Sequence, residues 1–247
     1  MKKYGLIGYP LGHSFSKGYF TEKFEREGMA DCEYNNYPID HIERFPEVLE
    51  KEPDLKGLNV TIPYKEAVIP YLDELDPVAA QISAVNVIHI SSDKKLTGFN
   101  SDAYGFQQSL KPLLGPEHRK ALVLGSGGAA KAVLYVLNAM GLDILQVGRE
   151  AGRDKIAYDQ LDERIMKEHL VIINTTPLGM YPEVSACPPI PYQFTGPGHI
   201  FFDLIYNPEV TQFMQHGLER HAVAKNGLEM LRLQAEKAWE IWTKNPR

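Results

Sequence analysis

Cysteine is scarce in this 247-residue chain: Cys32 and Cys187 are the only two, far apart and without C-x-x-C or metal-ligand spacing. That usage argues against a disulfide scaffold or a cysteine metal site, and it fits a reducing compartment. Long apolar runs are lacking too, since no segment approaches the ~18 residues of a membrane span. The opening stretch MKKYGLIGYP has two lysines but no sustained apolar run behind them, so it does not read as a targeting signal. Positive charge is not in surplus, with 26 Lys and Arg against 32 Asp and Glu and a formal net charge of -6. Without a basic field, nucleic acid and anionic membranes are poor partners, and any phosphate recognition must be local. Internal repeats and low-complexity segments are missing as well. What remains, 44% hydrophobic and 23% charged residues, suits a globular protein of one large or two modest domains. The expectation is a cytoplasmic, enzyme-sized protein with a small-molecule partner and no metal, either a monomer or a homodimer.

Strand and helix patterns alternate almost from the first residue. YGLIGYP reads as a strand, residues 17–28 as a helix, CEYNNYPI as a strand, residues 41–51 as a helix and LKGLNVTI as a strand, a βαβαβ beginning. Residues 63–75 and 76–84 predict two further helices, and AVNVIHISSDKKLTGF a hairpin turning at residues 92–94. A first domain closes near Asn100, and GPEHRK reads as a boundary loop after the helical DAYGFQQSLKPLL. A second alternation follows, with strands in KALVL, LDILQVGRE, HLVIINTTP and HIFFDLIYNP. The last segment, NGLEMLRLQAEKAWEIW, has apolar residues at 228, 231, 235, 238, 239 and 242, one face of a helix.

Between the first strand and helix of the second half, LGSGGAA supplies Gly125, Gly127 and Ala130 as G-x-G-x-x-A. This context makes the pattern a dinucleotide turn. Gly125 permits the bend, Gly127 lets the backbone approach a pyrophosphate, and Ala130 permits close helix packing with the helix N-terminus facing the anion. The next strand ends in Gly148 and Arg149 where an NAD enzyme usually places an acidic residue. A guanidinium there suits a 2′-phosphate, with Arg153 one turn on, so NADP is favoured. Glu150 is the opposing residue, because a carboxylate beside Arg149 repels that phosphate if it points inward.

In the first half, NVTIPYKE places Lys65 shortly after a strand and just behind Pro63. Pro63 suits the first turn of a helix, so Lys65 is expected in that opening turn. The positive end of the dipole disfavours an ammonium there, which suits a proton-transfer group and offers nothing to a structural one. From the stretch alone, a solvated surface lysine and a catalytic one both remain open.

Taken together, the motifs resemble those of the shikimate dehydrogenase family over nearly the whole chain. The ordered matches are GYPLGHSFS, NVTIPYKE, SAVNV, FNSDAYG, GSGGAA, NTTPLGM, YNPEVT and NGLEMLRLQA. The resemblance implies a two-domain α/β protein, an N-terminal α/β substrate domain and a Rossmann-type dinucleotide-binding domain with a cleft between them. The expected boundaries are residues 1–100, completed by a C-terminal helix over 227–247, for the substrate domain and 101–226 for the NADP domain.

The implied reaction is NADP-linked reduction of 3-dehydroshikimate to shikimate. By the same resemblance Ser14 and Ser16 bind the substrate carboxylate, Thr61, Asn86 and Gln234 surround its hydroxyls, and Tyr206 lies nearby. Lys65 and Asp102 become the catalytic pair, with the proton donor undecided between them. Gly125, Ser126, Gly127, Gly128, Ala129, Arg149, Arg153, Leu204 and Gly227 become the cofactor contacts. Departures from the family pattern include Gly148-Arg149-Glu150 where Asn-Arg-Thr is common, Ser101 where threonine is common, and Leu204 where methionine is frequent. Glu150 keeps open a quinate/shikimate dehydrogenase using NAD as well as NADP. A noncatalytic dinucleotide-binding regulator is a further alternative, against which the presence of both Lys65 and Asp102 argues.

Overall fold

Residues 4–8 of the first strand are buried on both faces, the mark of a central strand with parallel neighbours. The computed structural model describes residues 1–12 and 15–244. It divides them into two compact units, one of Met1–Ser101 together with the chain from Ala235 onward, the other of Asp102–Gln234. In the first unit, β1 (Lys2–Gly8), α1 (Phe15–Arg26), β2 (Cys32–Pro38), α2 (Phe45–Lys51) and β3 (Leu55–Val60) form the βαβαβ opening, with β2 and β3 parallel to β1 on either side. The short β4 (Glu74–Leu75) and α3 (Pro77–Ile82) follow, then the antiparallel pair β5 (Val87–Ile90) and β6 (Leu96–Phe99). The sheet order is β2-β1-β3-β5-β6-β4, a mixed sheet. Asp76 starts α3 by accepting a hydrogen bond from the Val78 N–H at 2.9 Å.

Two expected helices in this unit are corrected. Over 41–51, a 3₁₀ turn at Ile42–Arg44 precedes α2, because Pro46 has no N–H and is tolerated only in a helix's first turn. Over 63–75 no α-helix forms; turns lead to a 3₁₀ segment at Ile69–Tyr71 and then to β4. The helical ladder fails for two reasons. The Lys65 carbonyl is taken by the distant Val85 N–H at 2.7 Å, and Pro70 has no N–H to give the Glu66 carbonyl, which accepts from Ile69 instead. Lys65 therefore stands in a turn, and the helix-dipole argument for it lapses.

The second unit opens with α4, which begins at Ser101 (Ser101–Leu110), and holds β7 (Lys120–Leu124), α5 (Gly128–Ala139), β8 (Asp143–Gly148), β9 (Lys155–Ala157), α6 (Glu163–Glu168), β10 (Val171–Asn174), β11 (Ile200–Asp203), α7 (Gln212–Glu219) and β12 (Val223–Lys225). All six strands are parallel, in the order β12-β11-β10-β7-β8-β9. The order runs one way from β7 through β8 and β9 and the other way through β10, β11 and β12. This reversal puts the topological switch point between β7 and β10, and ligands of such sheets bind beyond the strands' carboxyl ends there. VIIN and IFFD are wholly buried, the near-continuous apolar strands that a sheet covered on both faces demands. The three-residue edge strands β9 and β12 are too short to show a period in sequence. Among the described residues, no helix is long and apolar enough to cross a membrane.

The last helix, α8 (Leu228–Thr243), passes from the second unit to the first at Gln234/Ala235. Its Ala235, Ala238 and Trp242 are buried with Tyr4, Phe20, Phe24 and Tyr34 on one face of the first sheet. Trp242 stacks on Tyr4 at 5.0 Å between ring centres, and its indole N–H donates to the Ile88 carbonyl at 3.0 Å. Lys23, 5% exposed, is held between Glu27 at 3.0 Å and Glu236 at 2.9 Å, tying α1 to α8. Trp242→Ala should destabilise the protein by about 3–5 kcal/mol, measured by urea unfolding. A loss under about 1 kcal/mol would show that the end of α8 contributes little to this core.

Candidate active site

In the first unit the polar side chains at the carboxyl end of β3 are linked in one chain of hydrogen bonds. The Tyr34 hydroxyl, close to Ser16, donates to Asn59 Oδ1 at 2.8 Å. Asn59 Nδ2 donates to the Asn86 carbonyl at 3.2 Å, and the Val60 N–H donates to the same oxygen at 2.9 Å. Asn86, 3% exposed, then accepts the Ser101 N–H at 2.7 Å and donates from Nδ2 to Ser101 Oγ at 3.0 Å. Burial drives the Tyr34 phenol far above its ordinary value, so it remains a neutral donor in this chain.

Thr61 and Lys65 stand beside the network. The Thr61 N–H donates to Ile7 and its carbonyl accepts from Tyr64, which turns the chain toward Lys65. The Lys65 carbonyl holds Val85, the residue before Asn86. Backbone bonds thus bring Thr61, Lys65 and Asn86 to one place, and Asn86 anchors the residue before Asp102. Ser14 lies outside the described residues. Tyr34 and Asn59, the buried links, were not singled out in sequence, where they look like ordinary strand residues.

The second unit builds the dinucleotide turn. Gly125 has φ +111, and a Cβ on it would meet Thr175 Oγ1 at 2.7 Å, so glycine is required there on both counts. Gln146 Nε2 donates to the Gly125 carbonyl at 2.8 Å, and Thr175 holds the Leu124 carbonyl through both its hydroxyl at 2.7 Å and its N–H at 2.9 Å. Ser126, Gly127 and Gly128 are exposed, and a Cβ on either glycine would meet nothing within 4 Å. No side chain caps α5 at Gly127. The first N–H groups of a helix have no partner within the helix, Ala129 lies in this first turn, and the open space beside the two glycines leaves room for a phosphate.

Arg149, Glu150 and Arg153 are exposed beyond the end of β8. On the other side of the switch point, Leu204 donates its N–H to the Asn174 carbonyl, and its carbonyl would lie 2.1 Å from a Cβ on Gly227. Leu204 and Gly227 are therefore in backbone contact, a contact only glycine permits. Tyr206 is 39% exposed on the loop after β11. Gln234 is buried in α8, its Nε2 donating to the Leu231 carbonyl at 2.9 Å, while Asp102 lies in the first turn of α4, where the dipole favours a negative charge.

Known proteins match this arrangement along its length. The family description "Shikimate dehydrogenase substrate binding domain" matches residues 6–88. A protein named shikimate dehydrogenase (NADP(+)) from Oleidesulfovibrio alaskensis is 38% identical, the match covering 97% of this chain and 88% of that protein. One of the same name from Desulforamulus reducens is 34% identical over 97% of this chain and 89% of its own length. The chain belongs to the shikimate dehydrogenase family. The crystal structure of shikimate 5-dehydrogenase from Thermus thermophilus in complex with NADP(H) and shikimate superposes with a TM-score of 0.86, at 30% identity, covering 98% of this chain and 94% of that one. Family membership brings with it the oxidoreductase class, the Rossmann-like second sheet and NADP+ as cofactor.

The chain also carries a buried acid that sequence reasoning missed. Asp203, fully buried at the end of β11, accepts from Thr211 Oγ1 at 2.6 Å, the Ile205 N–H at 3.0 Å and Asn174 Nδ2 at 3.1 Å. Asn174 Oδ1 in turn accepts from the Thr176 N–H at 3.0 Å and hydroxyl at 2.7 Å. The loops after β10 and β11, which carry Thr175, Leu204 and Tyr206, are locked through this one carboxylate. Its position at the end of an apolar strand gave no signal beyond the NTTPLGM and YNPEVT resemblances that flank it.

Burial pushes the Asp203 carboxyl up to about 6 from an ordinary 3.8, against the pull of its three donors. The folded protein therefore binds this proton more tightly than the unfolded chain does. The stability from it is present below pH 3.8 and lost as pH rises through about 6. The loss is on the order of 3 kcal/mol. Urea unfolding of wild type and Asp203→Asn from pH 4 to 7 should show wild type losing that amount relative to the variant. Parallel curves would show that Asp203 titrates as an ordinary carboxyl.

Proposed function

We propose that this protein catalyses the reversible NADPH-dependent reduction of 3-dehydroshikimate to shikimate in the cytoplasm, with residues 1–100 and 227–247 binding substrate and residues 101–226 binding cofactor. The observation that carries the reading is the uncapped start of α5 above Gly127 and Gly128, at the switch point of an all-parallel sheet. The residues present fit a pyrophosphate, because Gly127 brings no capping side chain to the helix start and the space beside Gly127 and Gly128 is clear. Gly125, Ser126, Gly127, Gly128 and Ala129 would hold it. Arg149 and Arg153 would face the 2′-phosphate, and Leu204 and Gly227 would contact the cofactor.

NADPH supplies the hydride that reduces C3 of the substrate. Lys65 and Asp102 handle the accompanying proton at the C3 oxygen, one exchanging it and the other orienting or assisting. Ser14 and Ser16 bind the substrate carboxylate, and Thr61, Asn86, Gln234 and Tyr206 surround the ring. A site of hydroxyls and amides rejects analogues lacking the substrate's hydroxyls, since each unmet polar group is left unpaired. Glu150, exposed beside Arg149, supports a second reading in which NAD is used alongside NADP.

The purified protein should reduce NADP with shikimate as donor, followed by absorbance of the reduced nicotinamide. Folded protein without turnover on either nicotinamide cofactor would sink the enzyme reading. Lys65→Ala should lower kcat by roughly 10²–10⁴-fold with little change in KM for shikimate. An unchanged kcat with a large rise in KM would make Lys65 a binding residue instead. Arg149→Ala should weaken NADP by roughly ten- to a hundredfold and leave NAD nearly untouched. Equal losses for both cofactors would remove Arg149 from the phosphate site.

A further inference from the structure

Lys155, the first residue of β9, folds back across the end of β8. The backbone enforces the fold: the Gly152 N–H donates to the Lys155 carbonyl at 2.9 Å, and Lys155 stands in register with Gln146. The lysine stem runs over two glycines. A Cβ on Gly152 would meet Lys155 Cε at 3.2 Å, and one on Gly148 would meet Cδ at 3.4 Å and Nζ at 3.6 Å. The ammonium thus lies beside Gly148, the residue before Arg149. Lys155 is half-buried and Gly148 buried, while Arg149 and Glu150 are exposed. Among the described residues Lys155 has neither an ion pair nor a side-chain hydrogen bond.

A half-buried cation without a counter-charge is suited to an anion that arrives from outside. The anion expected at the carboxyl end of the second strand of this sheet is the one on the adenosine ribose. We infer that Lys155 is a specificity-determining residue that binds the ribose 2′-phosphate of NADP beside Arg149 and offsets the repulsion of Glu150. The inference rests on the NADP reading above. It explains how the chain keeps a phosphate site with a carboxylate next to its arginine: the second cation comes from the following strand, and two missing side chains make room for it.

The test measures binding without turnover, by calorimetric titration of adenosine 2′,5′-bisphosphate and of AMP into wild type, Lys155→Met and Gly152→Ala. Lys155→Met keeps the stem and removes the charge. It should weaken the bisphosphate about tenfold or more, change AMP less than twofold, and flatten the salt dependence of bisphosphate binding. Gly152→Ala, which displaces the stem, should shift the bisphosphate in the same direction. Wild type that prefers the bisphosphate, with a Met variant that binds it equally well, would overturn the role of Lys155 alone. Wild type that binds both ligands alike would overturn the NADP reading and this inference with it. Equal weakening of both ligands in the Met variant would make Lys155 a support of the fold, and would also refute the inference.

Discussion

Asn86 is the crosslink on which the first unit's candidate site depends. Its carbonyl accepts from the Val60 N–H, its N–H donates to the Phe99 carbonyl, and its side chain grips both the N–H and the hydroxyl of Ser101. One buried residue thereby joins the end of β3, the end of β6 and the start of α4. A buried amide is stable only when its donors and acceptors are met, and leaving one unmet costs more than a hydrogen bond ordinarily contributes. That asymmetry holds the geometry in place: Thr61 and Lys65 on one side and the residue before Asp102 on the other cannot drift without unpairing buried groups.

The second unit solves the same problem with an acid. Asp203 ties Thr211, Ile205 and Asn174 together, and Asn174 passes the constraint to Thr176. Thr175 in turn holds the end of β7, where the dinucleotide turn begins. The turn carries little side-chain bulk and depends on this frame for its position. Its glycines leave N–H groups open at the start of α5, and open donors help a ligand only when they are already aimed. Keeping Asp203 wholly buried costs stability near neutral pH, which is the expense of locking two loops through one group.

Much of this was legible in the sequence, for physical reasons that differ by element. The central strands of the second sheet are covered on both faces, so VIIN and IFFD each begin with three apolar residues in a row and announce themselves. The turn between β7 and α5 needs glycine for sterics that no other residue satisfies, so its function is written in its spelling. The short edge strands β9 and β12 gave no such signal. Neither did Tyr34, Asn59 and Asp203, whose side-chain partners lie 8 to 29 residues away in the chain.

Lys65 marks the division most clearly. Sequence alone determined the family, the order of the motifs, the α/β alternation and the dinucleotide turn, because these depend on residue type and spacing within one local stretch. It misjudged the surroundings of Lys65, where Pro63 promised a helix. Only the tertiary structure decided that the Lys65 carbonyl goes to Val85, just before the neighbouring strand β5, in place of the fourth residue along the chain. A backbone carbonyl takes the partner that the whole fold brings to it, and a partner so far along the chain leaves no mark in the local pattern.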